Sequence, residues 1–229
     1  MIKAVIFDMD GLIIDSEEIS YACYNSLLEK ENLTLSKELY TQFLGKSVEN
    51  GFHLIEDNYH IHIDVEKALI EFKDIMQKMV EERGVPLKDG LIELLDYLQD
   101  NNYKTIIATS SNLTRVHQLL DNEIFSRFDD IICGDEVTNG KPNPEIFLKA
   151  CEKLNVHPNE ALVLEDSEAG IQAAYGASIP VICIPDMKYP EQPYLDMTTD
   201  ILKSLKQVID YLKESAVWSD ENFINIRPI

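Results

Sequence analysis

Five short apolar segments recur along this 229-residue chain, and polar or turn-forming residues follow each of them. Nearly all of their residues are apolar, instead of alternating with polar ones. Continuous apolar strands are typical of a sheet that is covered on both faces, which is usually a parallel sheet. The predicted strands are Ile2–Phe7, Thr105–Ala108, Ile131–Cys133, Ala161–Leu164 and Pro180–Ile184.

Helical patterns separate these strands. Leucines at positions 91, 94, 95 and 98 repeat at helical spacing before the second strand, and a similar stripe follows it at 113–120. Further stripes follow Pro144 and the fourth strand. Alternation of strands and helices predicts an α/β fold with a doubly wound, Rossmann-like parallel sheet.

One stretch lacks this alternation. Residues 16–83 contain helical stripes and no convincing strand, and Gly84, Val85 and Pro86 mark the end of the stretch. We therefore predict a discontinuous core of residues 1–15 and 84–229, with an inserted α-helical cap at 16–83.

The charge of the chain limits its partners. There are 41 acidic and 20 basic residues, giving a formal net charge of -21. Such a field repels nucleic acids and anionic lipid surfaces, so we expect neither as a partner. The four cysteines form no C-x-x-C pair and lie among apolar residues, which favours reduced thiols in the cytoplasm. We expect a monomer.

The first polar cluster, Asp8 to Asp15, directly follows the first strand. The two-residue period of a strand places Asp8 and Asp10 on the same side. Two close carboxylates favour either one protonated acid or a shared divalent cation. Gly11 permits a tight turn. An ordinary Asx-type turn that ends the strand is the alternative interpretation.

Two further clusters contain phosphate-binding chemistry. Thr109, Ser110, Ser111 and Asn112 follow the second strand, and their hydroxyl and backbone N–H groups suit a phosphate at a helix start. Helix N-capping is the alternative role. Lys141 lies in a proline-flanked turn, where it either neutralises a phosphate or is simply solvated.

Glu165 and Asp166 directly follow the fourth predicted strand. Their carboxylates are hard oxygen ligands suited to Mg²⁺, with a favourable effect on the following helix dipole as the alternative.

The four motifs DMDGLIID, ATSS, GKPNPEIF and LEDSEAGIQAA occur in this order, each at the end of a predicted strand or just before a helix. Together they resemble the haloacid dehalogenase superfamily, specifically its β-phosphoglucomutase-like branch with a helical cap after the first strand. The resemblance extends to about residue 213.

The resemblance implies phosphoryl transfer through an aspartyl-phosphate. Asp8 corresponds to the family's nucleophile and Asp10 to its general acid and base. The hydroxyl of Thr109, with Ser110 beside it, and the ammonium of Lys141 would hold the phosphoryl oxygens. An acid at the position of Asp10 distinguishes phosphoryl chemistry from dehalogenation.

The resemblance also implies a Mg²⁺ cofactor. Its ligands would be Asp8, the carbonyl oxygen of Asp10, and Asp166, with Glu165 nearby. Asp15 resembles the residue at which the family's cap begins.

Cap residues set the substrate in this branch, and here the chain departs from true β-phosphoglucomutases. Ser20 replaces their histidine, and Val48 replaces an arginine that grips a second phosphate. We therefore predict a phosphatase that acts on a small phosphorylated metabolite, a sugar or polyol phosphate, with Ser111, Asn112 and Lys46 as substrate contacts. A phosphomutase is the first alternative, and a non-catalytic protein that binds a phosphorylated ligand is the second.

Overall fold

The computed structural model describes residues 1–44 and 46–224, with residues 216–224 described by their backbone alone. The chain forms two compact units. The core unit comprises Met1–Ile14 and the chain from Leu87 onward, and the insertion comprises Asp15–Pro86. These limits differ from the predicted ones by one to three residues.

A six-stranded sheet lies at the centre of the core unit, and all its strand pairs are parallel. The strands are β1 (Ala4–Phe7), β2 (Lys104–Ala108), β3 (Asp130–Ile132), β4 (Ala161–Glu165), β5 (Val181–Cys183) and β6 (Asp200–Ile201). Their order across the sheet is β3-β2-β1-β4-β5-β6. This arrangement confirms the predicted doubly wound α/β class.

The described residues of the insertion form four α-helices: α1 (Ser16–Leu28), α2 (Lys37–Tyr40), α3 (Val48–Tyr59) and α4 (Val65–Arg83). Asp15, Ser36, Ser47 and Asp64 cap these helices by accepting a hydrogen bond from a backbone N–H in the first turn. No strand occurs among the insertion's described residues.

The core unit contains the remaining helices: α5 (Leu91–Asp100), α6 (Leu113–Leu119), α7 (Asn122–Phe125), α8 (Glu145–Leu154), α9 (Glu168–Gly176), α10 (Gln192–Leu195) and α11 (Leu205–Ile224). The strands β1, β4 and β5 are buried along their whole length. Their almost entirely apolar sequence is the consequence of helices on both faces of the sheet.

The sheet reverses its order between β1 and β4, because the chain moves outward from β1 in both directions. Phe7 of β1 pairs with Ile107 of β2 on one side and with Leu164 of β4 on the other. Ligands of open α/β sheets bind beyond the carboxyl ends of the strands at such a reversal. The polar segments after β1, β2 and β4 are therefore adjacent.

The tail from Ser215 onward has no clear period in the sequence, yet α11 continues to Ile224. Residues 225–229 lie outside the described part of the chain. None of the helices in the described part of the chain has the length and apolar character needed to cross a membrane.

Candidate active site

Asp8 and Asp10 lie at the carboxyl end of β1. The backbone N–H of Asp8 donates to the carbonyl oxygen of Leu164 at 3.1 Å, which ties the residue to β4. Gly11 turns the chain with φ +83°, and its N–H donates to the Ile14 carbonyl oxygen at 2.9 Å. The predicted tight turn therefore exists, and it leaves Asp8 buried and Asp10 partly exposed.

Lys141 is a buried ammonium and not the solvated lysine that a loop position suggests. Its Nζ donates to Asp8 Oδ1 at 2.5 Å, to Glu165 Oε1 at 2.6 Å and to the Ala108 carbonyl oxygen at 3.1 Å. The same atom lies 4.9 Å from the centre of the Phe147 ring. Three acceptors satisfy the three donors of an ammonium group, so the charge is held in one place.

Glu165 is fully buried at the end of β4. Its Oε1 accepts from Lys141, and its Oε2 accepts from Asp166 N, Ser167 N and Ser167 Oγ at 2.9 to 3.1 Å. A Cβ at Gly170 would lie 1.8 Å from Glu165 Oε1, so only glycine leaves room for this carboxylate. Glu165 thus holds both Lys141 and the start of α9.

Burial and mutual repulsion perturb the carboxylates of this cluster. Burial raises the pKa of Asp8 from 3.8 to about 7, with the Lys141 charge opposing the rise and Glu165 and Asp10 adding to it. Burial also raises the pKa of Asp166 well above its usual value, and the charges of Glu165, Asp8 and Asp186 contribute. Such groups are costly in their charged form unless a cation is present.

The donor set fits a divalent cation. Asp8, Glu165 and Asp166 each offer a carboxylate oxygen, and these oxygens lie within 4.8 Å of one another. Carboxylate oxygens are the hard donors that Mg²⁺ prefers. Because both oxygens of Glu165 already accept hydrogen bonds, Asp8 and Asp166 are the more available direct ligands.

The segment after β2 reaches the same edge of the sheet. Thr109 is buried, and its Oγ1 accepts from Ser111 N at 3.1 Å. Ser111 Oγ donates to Asp10 Oδ2 at 2.9 Å. Ser110 is exposed. Asn112 caps α6 by accepting from Arg115 N at 2.9 Å, the alternative role that its sequence position allows.

The sequence did not single out two residues of this site. Arg115, in the first turn of α6, places its NH2 nitrogen 3.2 Å from Asp10 Oδ1. Its position three residues after the N-cap Asn112 is the signal that could have found it, because residues so spaced share one face of a helix. Asp186 follows β5, and its Oδ1 accepts from Lys88 Nζ at 2.6 Å.

Two other predicted residues belong to the insertion. Asp15 caps α1 by accepting from Glu18 N at 3.2 Å. Lys46 has an exposed side chain. Its role as a substrate contact stays a prediction.

The protein is an α/β protein with a doubly wound sheet. Its candidate active site, a buried cluster of acidic residues around Lys141, lies at the carboxyl edge of that sheet. Residues 5–184 match the model of the haloacid dehalogenase-like hydrolases. The chain therefore belongs to this family, as its motifs predict, and the prediction of an enzyme of the hydrolase class is confirmed.

Several proteins of this family with assigned activities are similar to the chain in sequence or structure. A phosphorylated carbohydrates phosphatase of Thermotoga maritima is 31% identical over 77% of this chain and 82% of its own length. A (DL)-glycerol-3-phosphatase of Arabidopsis thaliana is 31% identical over 89% of this chain and 70% of its own length. A solved Thermotoga maritima structure, assigned as a β-phosphoglucomutase, superposes with a TM-score of 0.77 at 27% identity, covering 93% of this chain and 99% of that one. This likeness agrees with the predicted β-phosphoglucomutase-like branch.

Proposed function

We propose that this chain is a Mg²⁺-dependent phosphatase that hydrolyses a small sugar or polyol phosphate through an aspartyl-phosphate on Asp8. The observation that carries the proposal is the buried cluster in which Lys141 contacts both Asp8 and Glu165, with Asp166 beside them. A structural ion pair needs one partner, whereas here one ammonium contacts two carboxylates and a third carboxylate lies close to both of them. The excess of negative charge is typical of a site that receives a cation.

Asp8 is the proposed nucleophile. One of its carboxylate oxygens forms a bond to the substrate phosphorus while the bond from phosphorus to the ester oxygen breaks. Lys141 and Thr109 would bind the phosphoryl oxygens, where negative charge spreads in the transition state. Asp8, Asp166 and the Asp10 carbonyl oxygen would hold Mg²⁺, which when bound offsets the repulsion between an anionic nucleophile and an anionic phosphate.

Asp10 is the proposed general acid and base. In its protonated form it gives its proton to the departing ester oxygen. Water then attacks the aspartyl-phosphate and gives a proton to Asp10, releasing inorganic phosphate and restoring Asp8. Ser111 and Arg115 bind one oxygen each of the Asp10 carboxylate, and this orients it.

The substrate class is proposed from the relatives and from the insertion. The two related phosphatases are named for phosphorylated carbohydrates and for glycerol 3-phosphate. Ser20 and Val48 stand where the resemblance places the mutase histidine and arginine, which favours hydrolysis over transfer between two positions of a sugar. Four free, buried cysteines suit a reducing cytoplasm, and we propose that the enzyme works there as a monomer.

The test is phosphate release from a panel of sugar, polyol and nucleotide monophosphates, with Mg²⁺ and with chelator. The variants are Asp8→Asn and, as a control of equal charge change, Asp100→Asn at an exposed position. We expect metal-dependent release that Asp8→Asn abolishes and Asp100→Asn retains.

The same panel includes β-glucose 1-phosphate with a trace of the 1,6-bisphosphate. Conversion to glucose 6-phosphate without release of inorganic phosphate would show that the protein is a phosphomutase and not a phosphatase. Ligand-dependent stabilisation of folded protein with no turnover of any substrate would replace it by a binding protein.

A further inference from the structure

Asp186 has a buried oxygen that accepts no hydrogen bond from any group in the described part of the chain. Its side chain is 12% exposed, and Oδ1 forms an ion pair with Lys88. Among the described residues, Oδ2 is the one buried side-chain oxygen or nitrogen without a hydrogen-bond partner. A buried carboxylate oxygen left unpaired is costly, so its position calls for a functional explanation.

The unpaired oxygen lies near an oxygen of Asp166, beside Gly11. A Cβ built on Gly11 would lie 2.2 Å from Asp166 Oδ2 and 3.4 Å from Asp186 Oδ2, so both oxygens border the space that a side chain at Gly11 would fill. Gly11 immediately follows Asp10. Two carboxylates from the ends of β4 and β5 therefore approach the turn that follows the proposed nucleophile.

Lys88 does not remove the need for a second partner. Its Nζ lies 2.6 Å from Oδ1, on the oxygen that is already satisfied. Lys88 follows the return of the chain from the insertion, and its backbone N–H donates to the Ile13 carbonyl oxygen at 3.0 Å. The ion pair thus holds Oδ1 and leaves Oδ2, which lies beside Gly11, without a hydrogen-bond partner.

We propose that Asp186 is a positioning residue of the cation site, whose Oδ2 accepts a hydrogen bond from a water ligand of the Mg²⁺ that Asp8 and Asp166 would hold. This inference rests on the proposed function. Mg²⁺ usually keeps several water ligands in protein sites, and those waters donate strongly because the ion polarises them. Substitution of a residue that hydrogen-bonds to a metal ligand commonly lowers metal affinity about 10- to 100-fold.

The decisive variant is Asp186→Asn. The asparagine oxygen can still accept from Lys88, whereas an NH2 group then replaces Oδ2 and cannot accept. Titration calorimetry of the full chain with MgCl₂ alone should show a dissociation constant about 10- to 100-fold higher than wild type. The unfolding midpoint in chelator should stay within about 2 °C of wild type or rise, because one buried negative charge is lost.

Two controls separate this role from a structural one. Asp100→Asn removes an exposed carboxylate of the same unit and should leave the dissociation constant within about twofold, because distant exposed charges are screened. Lys88→Met removes the partner of Oδ1 and leaves Oδ2 in place. It should lower the unfolding midpoint in chelator, and it should weaken Mg²⁺ binding less than Asp186→Asn does, because Oδ2 is still present to accept.

An unchanged Mg²⁺ dissociation constant in Asp186→Asn, with normal binding by wild type, would overturn this inference and leave the phosphatase proposal intact. An equal loss of affinity in Asp100→Asn would also overturn it. Wild-type protein that binds no Mg²⁺ and hydrolyses phosphate esters in chelator would instead overturn the metal-dependent function itself.

Discussion

The core unit and the insertion bury different kinds of side chain. At the carboxyl edge of the sheet, the core unit buries charged groups: Asp8, Glu165 and Lys141. The insertion buries aromatic rings around Tyr24, whose ring contacts those of Tyr40, Phe43, Phe52 and Phe72 at centroid distances of 4.8 to 6.1 Å. One region places charge where burial is costly, and the other contains the packing that stabilises a small helical unit.

Polar atoms of the aromatic cluster are satisfied locally. Tyr24 Oη donates to the Val48 carbonyl oxygen at 3.1 Å, and Tyr40 Oη donates to Glu17 Oε2 at 2.5 Å. The acidic cluster of the core unit, by contrast, keeps an unpaired oxygen and raised carboxyl pKa values. The difference indicates that the carboxyl edge of the core unit is arranged for catalysis at a cost in folding stability, as active sites commonly are.

The largest effect on activity is expected for Asp8→Asn. The substitution keeps the shape of the side chain and removes the proposed nucleophile, so turnover should fall by at least about 10⁴-fold. Phosphate release and thermal unfolding of the same preparation measure this. Lys141 keeps its contact with Glu165, so the variant should remain folded. Full activity in folded Asp8→Asn would remove the covalent route.

The largest effect on stability is expected for Lys141→Met. It leaves Asp8 and Glu165 buried without their shared cation, which should cost about 3 to 5 kcal/mol of unfolding free energy. Urea unfolding in chelator measures the loss. Lys149→Met is the matched control, since its partly exposed pair with Glu145 should contribute far less to the unfolding free energy. Equal losses of unfolding free energy in both variants would show that the buried ion pairs of Lys141 stabilise the protein no more than a surface pair does.

The stability of the metal-free enzyme should fall as the pH rises. Asp8 has a pKa of about 7 in the folded chain and an ordinary value of 3.8, so between these values the native state binds more protons than the unfolded state. Its contribution is fully present below pH 3.8 and is lost as the pH rises through 7, by up to about 1.4 kcal/mol per pH unit.

Urea unfolding in chelator at pH 5, 6, 7 and 8 checks this dependence. Asp8→Asn should show a flatter profile than wild type, and saturating Mg²⁺ should flatten the wild-type profile as well. A wild-type profile that rises with pH in chelator, or one identical to that of Asp8→Asn, would contradict the raised pKa of Asp8.

The smallest effect belongs to the insertion. Tyr24→Phe removes one hydrogen bond to the Val48 carbonyl oxygen and keeps the ring contacts, so it should cost about 1 kcal/mol of unfolding free energy. Steady-state kinetics should show kcat unchanged, because the aromatic cluster serves packing. A large fall in kcat with little loss of stability would show that the aromatic cluster contributes to the reaction and not to packing alone.

Most of the fold could be predicted from the sequence because buried parallel strands leave continuous apolar segments. The strand β6 could not, since it is two residues long and begins at the exposed Asp200. The continuation of α11 past Ser215 was missed for a different reason: its sequence has no clear apolar period.

The candidate site was predictable wherever a motif directly follows a strand, because carboxyl ends of neighbouring parallel strands meet at one edge. The burial of Lys141 was not predictable, since a loop lysine is usually solvated. The approach of Arg115 to Asp10 depends on the orientation of α6, and that of Asp186 to Asp166 depends on β5 lying beside β4. Such tertiary relations leave no local signal in the sequence.

The most direct test of the account is capture of the aspartyl-phosphate. Asp10→Asn, which lacks the base for hydrolysis of the intermediate, is mixed with an activated aryl phosphate and Mg²⁺, quenched in acid and mapped by mass spectrometry. We predict a phosphoryl adduct on the peptide that contains Asp8, absent when Asp8 is also replaced by Asn. Phosphate release at the wild-type rate without an adduct, or an adduct on another residue, would contradict Asp8 as the nucleophile.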